Sequence, residues 1–172
     1  KNASNLPGSI EPDQLFDRVM VDVPCSGLGA LRRRPEARWR KSPRDIAELL
    51  PLQRQLLDAA IEATRPGGVI AYVTCSPHAA ETQNIVAEVL ESGAVSLLDS
   101  AAALREVALH TEGPNGEPVS VLAGEKDPGH TPEIKVKKGA RAVKASENPT
   151  TAQLWPHVHG TDAMFLALLR KN

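Results

Sequence analysis

Two short apolar runs, each ending at a cysteine, constrain this chain more than any other feature. Arg18-Val19-Met20-Val21-Asp22-Val23 leads into Pro24-Cys25, and Gly68-Val69-Ile70-Ala71-Tyr72-Val73-Thr74 leads into Cys75. Short runs rich in β-branched residues and bounded by Pro or Gly predict strands, although periodicity alone does not separate them from buried helix segments. The stretch between them is helix-rich and long enough for a crossover. A βαβ unit would make the strands parallel and bring both cysteines out at the carboxyl edge of the sheet, where open α/β sheets bind their ligands. Both thiols of the chain would then face one crevice.

The 172 residues suit one ordinary domain. Aromatics make up only 3% of the chain, so its packing must rest on Leu, Val, Ile and Ala. No stretch reaches the roughly 18 apolar residues of a membrane span, and no secretory signal opens the sequence. With no secretory context, two cysteines are expected to be reduced thiols of a cytoplasmic protein rather than a disulfide. The chain begins abruptly, without an initiator Met, in a polar, turn-rich stretch from Lys1 to Gln14.

The net charge of -1 says nothing about partners, whereas the distribution of charge does. Arg32, Arg33, Arg34, Arg38, Arg40, Lys41 and Arg44 stand close together against Glu36 and Asp45, with Trp39 among them. Lys and Arg neutralise phosphates and an exposed Trp stacks on bases, so the patch suits nucleic acid. A solvated basic loop with Trp39 packed on the core is the bland alternative. Ser42 and Pro43 predict a helix start, as N-cap and first helical residue. Pro51 is expected to interrupt that helix and start a second segment, ended by Arg65-Pro66-Gly67-Gly68 as a helix-to-strand turn.

Ser76 and Pro77 predict a further helix beginning right after Cys75. A thiol beside a helix N-terminus feels the positive end of the macrodipole, which favours thiolate and makes Cys75 a better nucleophile than Cys25. Taken singly, either cysteine could be a small buried hydrophobe. Two of them at matching strand ends favour chemistry. Ala94 to Asp99 is expected to form a strand and Ser100 to Val107 a short helix. From Leu109 to Thr151 the composition turns to Gly, Pro, Lys, Glu and Thr, which predicts an insertion or mobile connection over 109–151. Within it, Val119 to Leu122 and Glu133 to Lys137 could pair as a hairpin, and Lys135, Lys137, Lys138, Arg141 and Lys144 form a second basic cluster. Ala163 to Arg170 suits a final buried strand. His157, His159 and Asp162 lack zinc-site spacing and fit a loop closing over the crevice better than a metal site.

Four motifs occur in order: Asp22-Val23-Pro24-Cys25-Ser26-Gly27-Leu28-Gly29, Arg65-Pro66-Gly67-Gly68, Tyr72-Val73-Thr74-Cys75-Ser76-Pro77 and His159-Gly160-Thr161-Asp162-Ala163-Met164-Phe165. Together they resemble the RsmB (Sun, Fmu) family of RNA cytosine-5 methyltransferases, with matches from about Phe16 to Val89 and from Gln153 to Arg170. The resemblance implies S-adenosylmethionine as methyl donor and RNA, small-subunit ribosomal RNA in the case of RsmB itself, as substrate. It also implies a Rossmann-like class I methyltransferase sheet, mainly parallel with a final antiparallel strand.

By the same resemblance, Cys75 adds to C6 of the target cytosine so that C5 can take the methyl group, and Cys25 helps to resolve the adduct. Asp22 matches a cofactor contact and Pro24 shapes the turn. Arg32, Arg33, Arg34, Arg38, Trp39, Arg40 and Lys41 would hold the RNA, with His159 and Asp162 on the closing loop. The family's Ala-Pro-Gly-Gly-Lys cofactor loop, its acidic strand ends and its upstream RNA-binding domain are absent. The expectation is therefore the carboxyl-terminal half of a catalytic domain, 1–108 with 152–172, whose amino-terminal half is missing. Two rivals stand beside it: a non-catalytic RNA-binding module, and a DNA cytosine-5 methyltransferase that attacks through Cys25.

Overall fold

The structure is a computed structural model that describes residues 15–107 and 150–172. Strand β1 (Phe16–Asp22) is followed by helix α1 (Pro43–Ala63) and strand β2 (Thr64–Thr74), and β1 and β2 pair in parallel. Next come α2 (Gln83–Glu91), β3 (Val95–Leu97) and α3 (Ser100–Val107). The described chain resumes with β4 (Ala152–Gln153), α4 (Pro156–His159) and β5 (Phe165–Lys171). The sheet order is β1-β2-β5-β3, with β4 also on β5. Because β5 runs antiparallel to β2, β3 and β4, it is the one reversed strand among those described. The expected α/β sheet, mostly parallel with a reversed final strand, is therefore present.

The pattern of β2 explains the packing. Ile70, Tyr72 and Thr74 alternate to one face and are fully buried, while Val69, Ala71 and Val73 on the other face are half-buried. Phe165, Ala167 and Leu169 of β5 continue this face, and Leu57, Ala60 and Ile61 from α1 with Ile85, Val86 and Val89 from α2 join them in one core. Tyr72 meets Phe165 edge-to-face, their ring centroids 6.2 Å apart. In contrast, β1 lies at the sheet's border and exposes Phe16 and Met20 to 55% and 73%.

Three local expectations need correction. Pro51 does not divide α1, which runs unbroken from Pro43 to Ala63 under a Ser42–Asp45 capping box. A Pro removes one N–H and disturbs the ladder locally, and here the buried face on either side holds the helix together. Ser76 is not a helix cap either. A 3-10 turn at Ala79–Glu81, capped by His78, comes first, and α2 starts only after Thr82. Lastly, β2 begins at Thr64, before the Pro66-Gly67-Gly68 turn. Thr64 pairs with Phe16 and Val69 with Arg18, so the turn is a bulge in the ladder, with Gly67 in the left-handed region at φ 76°. The predicted hairpin at 119–137 and the second basic cluster lie outside the described residues.

Candidate active site

Parallel pairing of β1 with β2 brings the two cysteine loops out side by side. The Val23 N–H donates to the Val73 carbonyl at 3.1 Å, extending the ladder to the last residue before Pro24. Just beyond it, Cys25 Sγ and Cys75 Sγ stand 3.3 Å apart as free, half-buried thiols. The two thiols thus meet at one edge of the sheet, at the ends of paired parallel strands.

The loops are then locked from two sides. Gly29 donates its N–H to the Cys75 carbonyl at 2.9 Å and accepts from the Ala163 N–H at 2.9 Å. A Cβ on Gly29 would collide with the Ala163 carbonyl and lie 2.6 Å from the Cys75 carbonyl, so only glycine allows the three segments to meet. From below comes Glu81, fully buried. Its Oε1 accepts from the Ser26 N–H at 2.7 Å and from Gln53 Nε2 at 3.0 Å. Its Oε2 accepts from the Ser26 and Ser76 hydroxyls, each at 2.6 Å. Gln53 also donates to the Pro24 carbonyl at 2.9 Å, and the Tyr72 hydroxyl donates to the Glu81 carbonyl at 2.8 Å. Burial alone would push the Glu81 carboxyl up, but donors from Ser26, Ser76 and Gln53 outweigh it and leave the group below its usual range.

The electrostatics of Cys75 run against the sequence argument. Burial, and then the hydrogen bond and charge of Cys25, push its pKa up to about 11. The helix start that was to favour thiolate lies beyond the 3-10 turn, too far on for a macrodipole that acts within the first turn. The resting Cys75 is a neutral thiol.

The remaining candidate residues divide into groups. Asp22 and Pro24 are exposed at the carboxyl end of β1. Arg33 donates through Nε and Nη2 to the Asp162 carboxylate, with Nε 3.1 Å from Oδ1, and Arg32 lies 3.8 Å from the same group. The pair ties the basic loop to the segment before β5 and lowers the Asp162 pKa through those contacts. Arg34, Arg38, Arg40 and Lys41 point outward with Trp39, which is 83% exposed and has the Arg38 guanidinium 5.5 Å from its ring centroid. Trp39 is thus not the core residue of the bland alternative. His159 accepts from the Trp155 N–H at 2.8 Å, closing the short helix α4. Among the described residues no three His, Cys, Asp or Glu gather as metal ligands.

Sequence reasoning missed Glu81, Gln53, Ser26 and Ser76. Gln53 did carry a signal, as a polar residue on the stripe it shares with Leu57, Ala60 and Ile61. Glu81 carried none, because an acid early in an expected helix is ordinary.

The geometry agrees with what the chain is similar to. The Mycobacterium tuberculosis protein Rv1407, a methyltransferase by name, is 50% identical over 159 residues, covering 92% of this chain and 27% of that protein. The ribosomal RNA small subunit methyltransferase B of Enterobacter is 42% identical over 85 residues, 49% of this chain and 20% of the enzyme. The crystal structure of a methyltransferase homolog from Pyrococcus horikoshii superposes with a TM-score of 0.59 at 25% identity, covering 94% of this chain and 41% of that one. The chain therefore spans about a quarter of the curated relatives it matches. Residues 3–170 match the family described as 16S rRNA methyltransferase RsmB/F, and the chain belongs to that family.

Proposed function

We propose that this chain is the carboxyl-terminal part of an S-adenosylmethionine-dependent RNA cytosine-5 methyltransferase acting on small-subunit ribosomal RNA in the cytoplasm. The observation that carries the reading is the thiol pair, 3.3 Å apart at the carboxyl edge of two parallel strands. Cys75 gives up its proton and adds through sulfur to C6 of an unstacked cytosine, which makes C5 nucleophilic. After methylation the C5 proton leaves and the carbon–sulfur bond breaks, with Cys25 beside it assisting release. With a pKa of about 11 at rest, Cys75 needs an acceptor for its proton, or a lowered pKa, in the assembled site before sulfur adds. Arg34, Arg38, Arg40 and Lys41 meet the RNA backbone while Trp39 stacks on a base. His159 and Asp162 shape the far wall, Asp162 through Arg33 and Arg32.

S-adenosylmethionine supplies the methyl group. Asp22 and Pro24, exposed where β1 ends, fit one side of its site and leave the rest to be built elsewhere. We place the remainder on strands that continue the sheet beyond β1, within a longer polypeptide. Among the described residues β1 has no strand on its far side and leaves Phe16 and Met20 exposed, which supports that placement. The domain reading follows, with 1–108 and 152–172 as one catalytic half and 109–151 as a connection. A binding module without chemistry would need no thiol pair, and membership in this family weighs against a DNA enzyme attacking through Cys25.

Methyl-labelled S-adenosylmethionine and unmodified small-subunit ribosomal RNA test the proposal, using this chain beside one extended upstream. Label at cytosine C5 from the extended chain alone is the expected result. No label from either favours the binding module, and label from the short chain overturns the half-domain account.

A further inference from the structure

We propose that Glu81 is a positioning residue that sets the distance between the two sulfurs, an inference resting on the thiol-pair chemistry proposed above. Cys25-Ser26 and Cys75-Ser76 are the same dipeptide at the ends of neighbouring parallel strands. Each serine hydroxyl donates to Glu81 Oε2 at 2.6 Å, and the two hydroxyl oxygens stand 3.4 Å apart. One carboxylate oxygen therefore holds the residue following each cysteine. Oε1 adds the Ser26 N–H and, through Gln53, the Pro24 carbonyl, so the residues on both sides of Cys25 are fixed to the same group. Glu81 in turn is anchored through its backbone carbonyl, which accepts from the hydroxyl of Tyr72, a fully buried residue of β2.

A fully buried carboxylate is expensive unless its lone pairs are filled, and here four donors fill them. Apolar groups could fill the same space without fixing either loop. Hydrogen bonds of fixed length instead specify one arrangement of both serines, and so of both thiols. The hydrogen bonds of Glu81 go to the residues beside the cysteines, so its action on the sulfurs passes through the backbone on either side.

The test is the thiol–disulfide equilibrium of Cys25 and Cys75 in a glutathione buffer, measured on the folded chain. One glutathione disulfide accepts two electrons and becomes two thiols, while the two protein thiols lose their protons and join in one S–S bond. The position of that equilibrium reports the effective concentration of one sulfur at the other, which is sensitive to misplacement of about 1 Å. Glu81→Ala is expected to lower it about tenfold or more. Glu81→Gln should stay within about threefold of wild type, since an amide oxygen accepts the Oε1 pair and its NH2 donates to both serine oxygens. Should Glu81→Ala fail to fold, the Ser26→Ala/Ser76→Ala double variant removes the same two hydroxyl links. A folded Glu81→Ala or double-serine variant with the wild-type equilibrium overturns the proposal, even with a lowered melting temperature. So does Glu81→Gln falling as far as Glu81→Ala. No S-adenosylmethionine or RNA enters the measurement, so a failed methyl-transfer reaction leaves its result standing.

Discussion

Cys75 is where local physics and proposed chemistry pull hardest against each other. Burial, then the Cys25 thiol at 3.3 Å, push its pKa from 9.0 to about 11. That rise lowers the thiolate fraction at pH 7 about 100-fold. The more basic sulfur is the better nucleophile, with a Brønsted slope of about 0.4–0.5, which restores roughly 8-fold. Cys75 should therefore react with iodoacetamide about tenfold more slowly than a small thiol of pKa 9.0, before partial burial slows access further. Peptide-resolved mass spectrometry between about pH 6 and 11 would read both the rate and its midpoint. In Cys25→Ala the midpoint should fall part of the way, because burial, the larger cause, remains. The stabilisation linked to this raised pKa is complete below the unfolded thiol's value and is lost as pH rises through about 11. A midpoint at or below about 8.5, or labelling at neutral pH as fast as a free thiol, would refute the desolvation argument.

Other outcomes test the frame around the thiols. Gly29→Ala should destabilise the chain by about 1–3 kcal/mol in a denaturant melt, since its Cβ meets two backbone carbonyls that cannot swing away; a change within about 0.5 kcal/mol would mean the loops are slack. Trp39→Ala should leave the melting temperature unchanged and weaken RNA binding by about 1–3 kcal/mol, read by titration on the upstream-extended chain. Asp162→Asn frees Arg33 and Arg32 for phosphates, so the log–log salt slope of RNA affinity should steepen by about 0.7 for each phosphate newly contacted. A shallower slope would mean that Asp162 instead holds those arginines in place for the RNA.

The scaffold was legible in the sequence because its signals are local. The apolar run from Gly68 to Thr74, the Ser42-Pro43 helix start and the apolar run from Ala163 to Arg170 each report their own surroundings. The meeting of Cys25 with Cys75 followed from topology, since a parallel βαβ unit leaves little choice about where its strand ends go. What failed depended on tertiary context. Pro51 breaks helices in isolation, yet the packed face of α1 carries the helix through it. Ser76 has the chemistry of a cap, but its hydroxyl is bound to Glu81, so the helix begins later and the dipole argument for Cys75 fails. Glu81 is the extreme case. Its partners lie up to 55 residues away, and only the folded chain brings them together.

The most direct test of the central claim is covalent trapping on a small-subunit ribosomal RNA fragment carrying 5-fluorocytosine at the target position. It uses S-adenosylmethionine and the upstream-extended chain, in which the fluorine at C5 blocks release of the enzyme. The account predicts a protein–RNA adduct with the extended wild type and with Cys25→Ala, and none with Cys75→Ala. An adduct that survives Cys75→Ala and disappears in Cys25→Ala would contradict it.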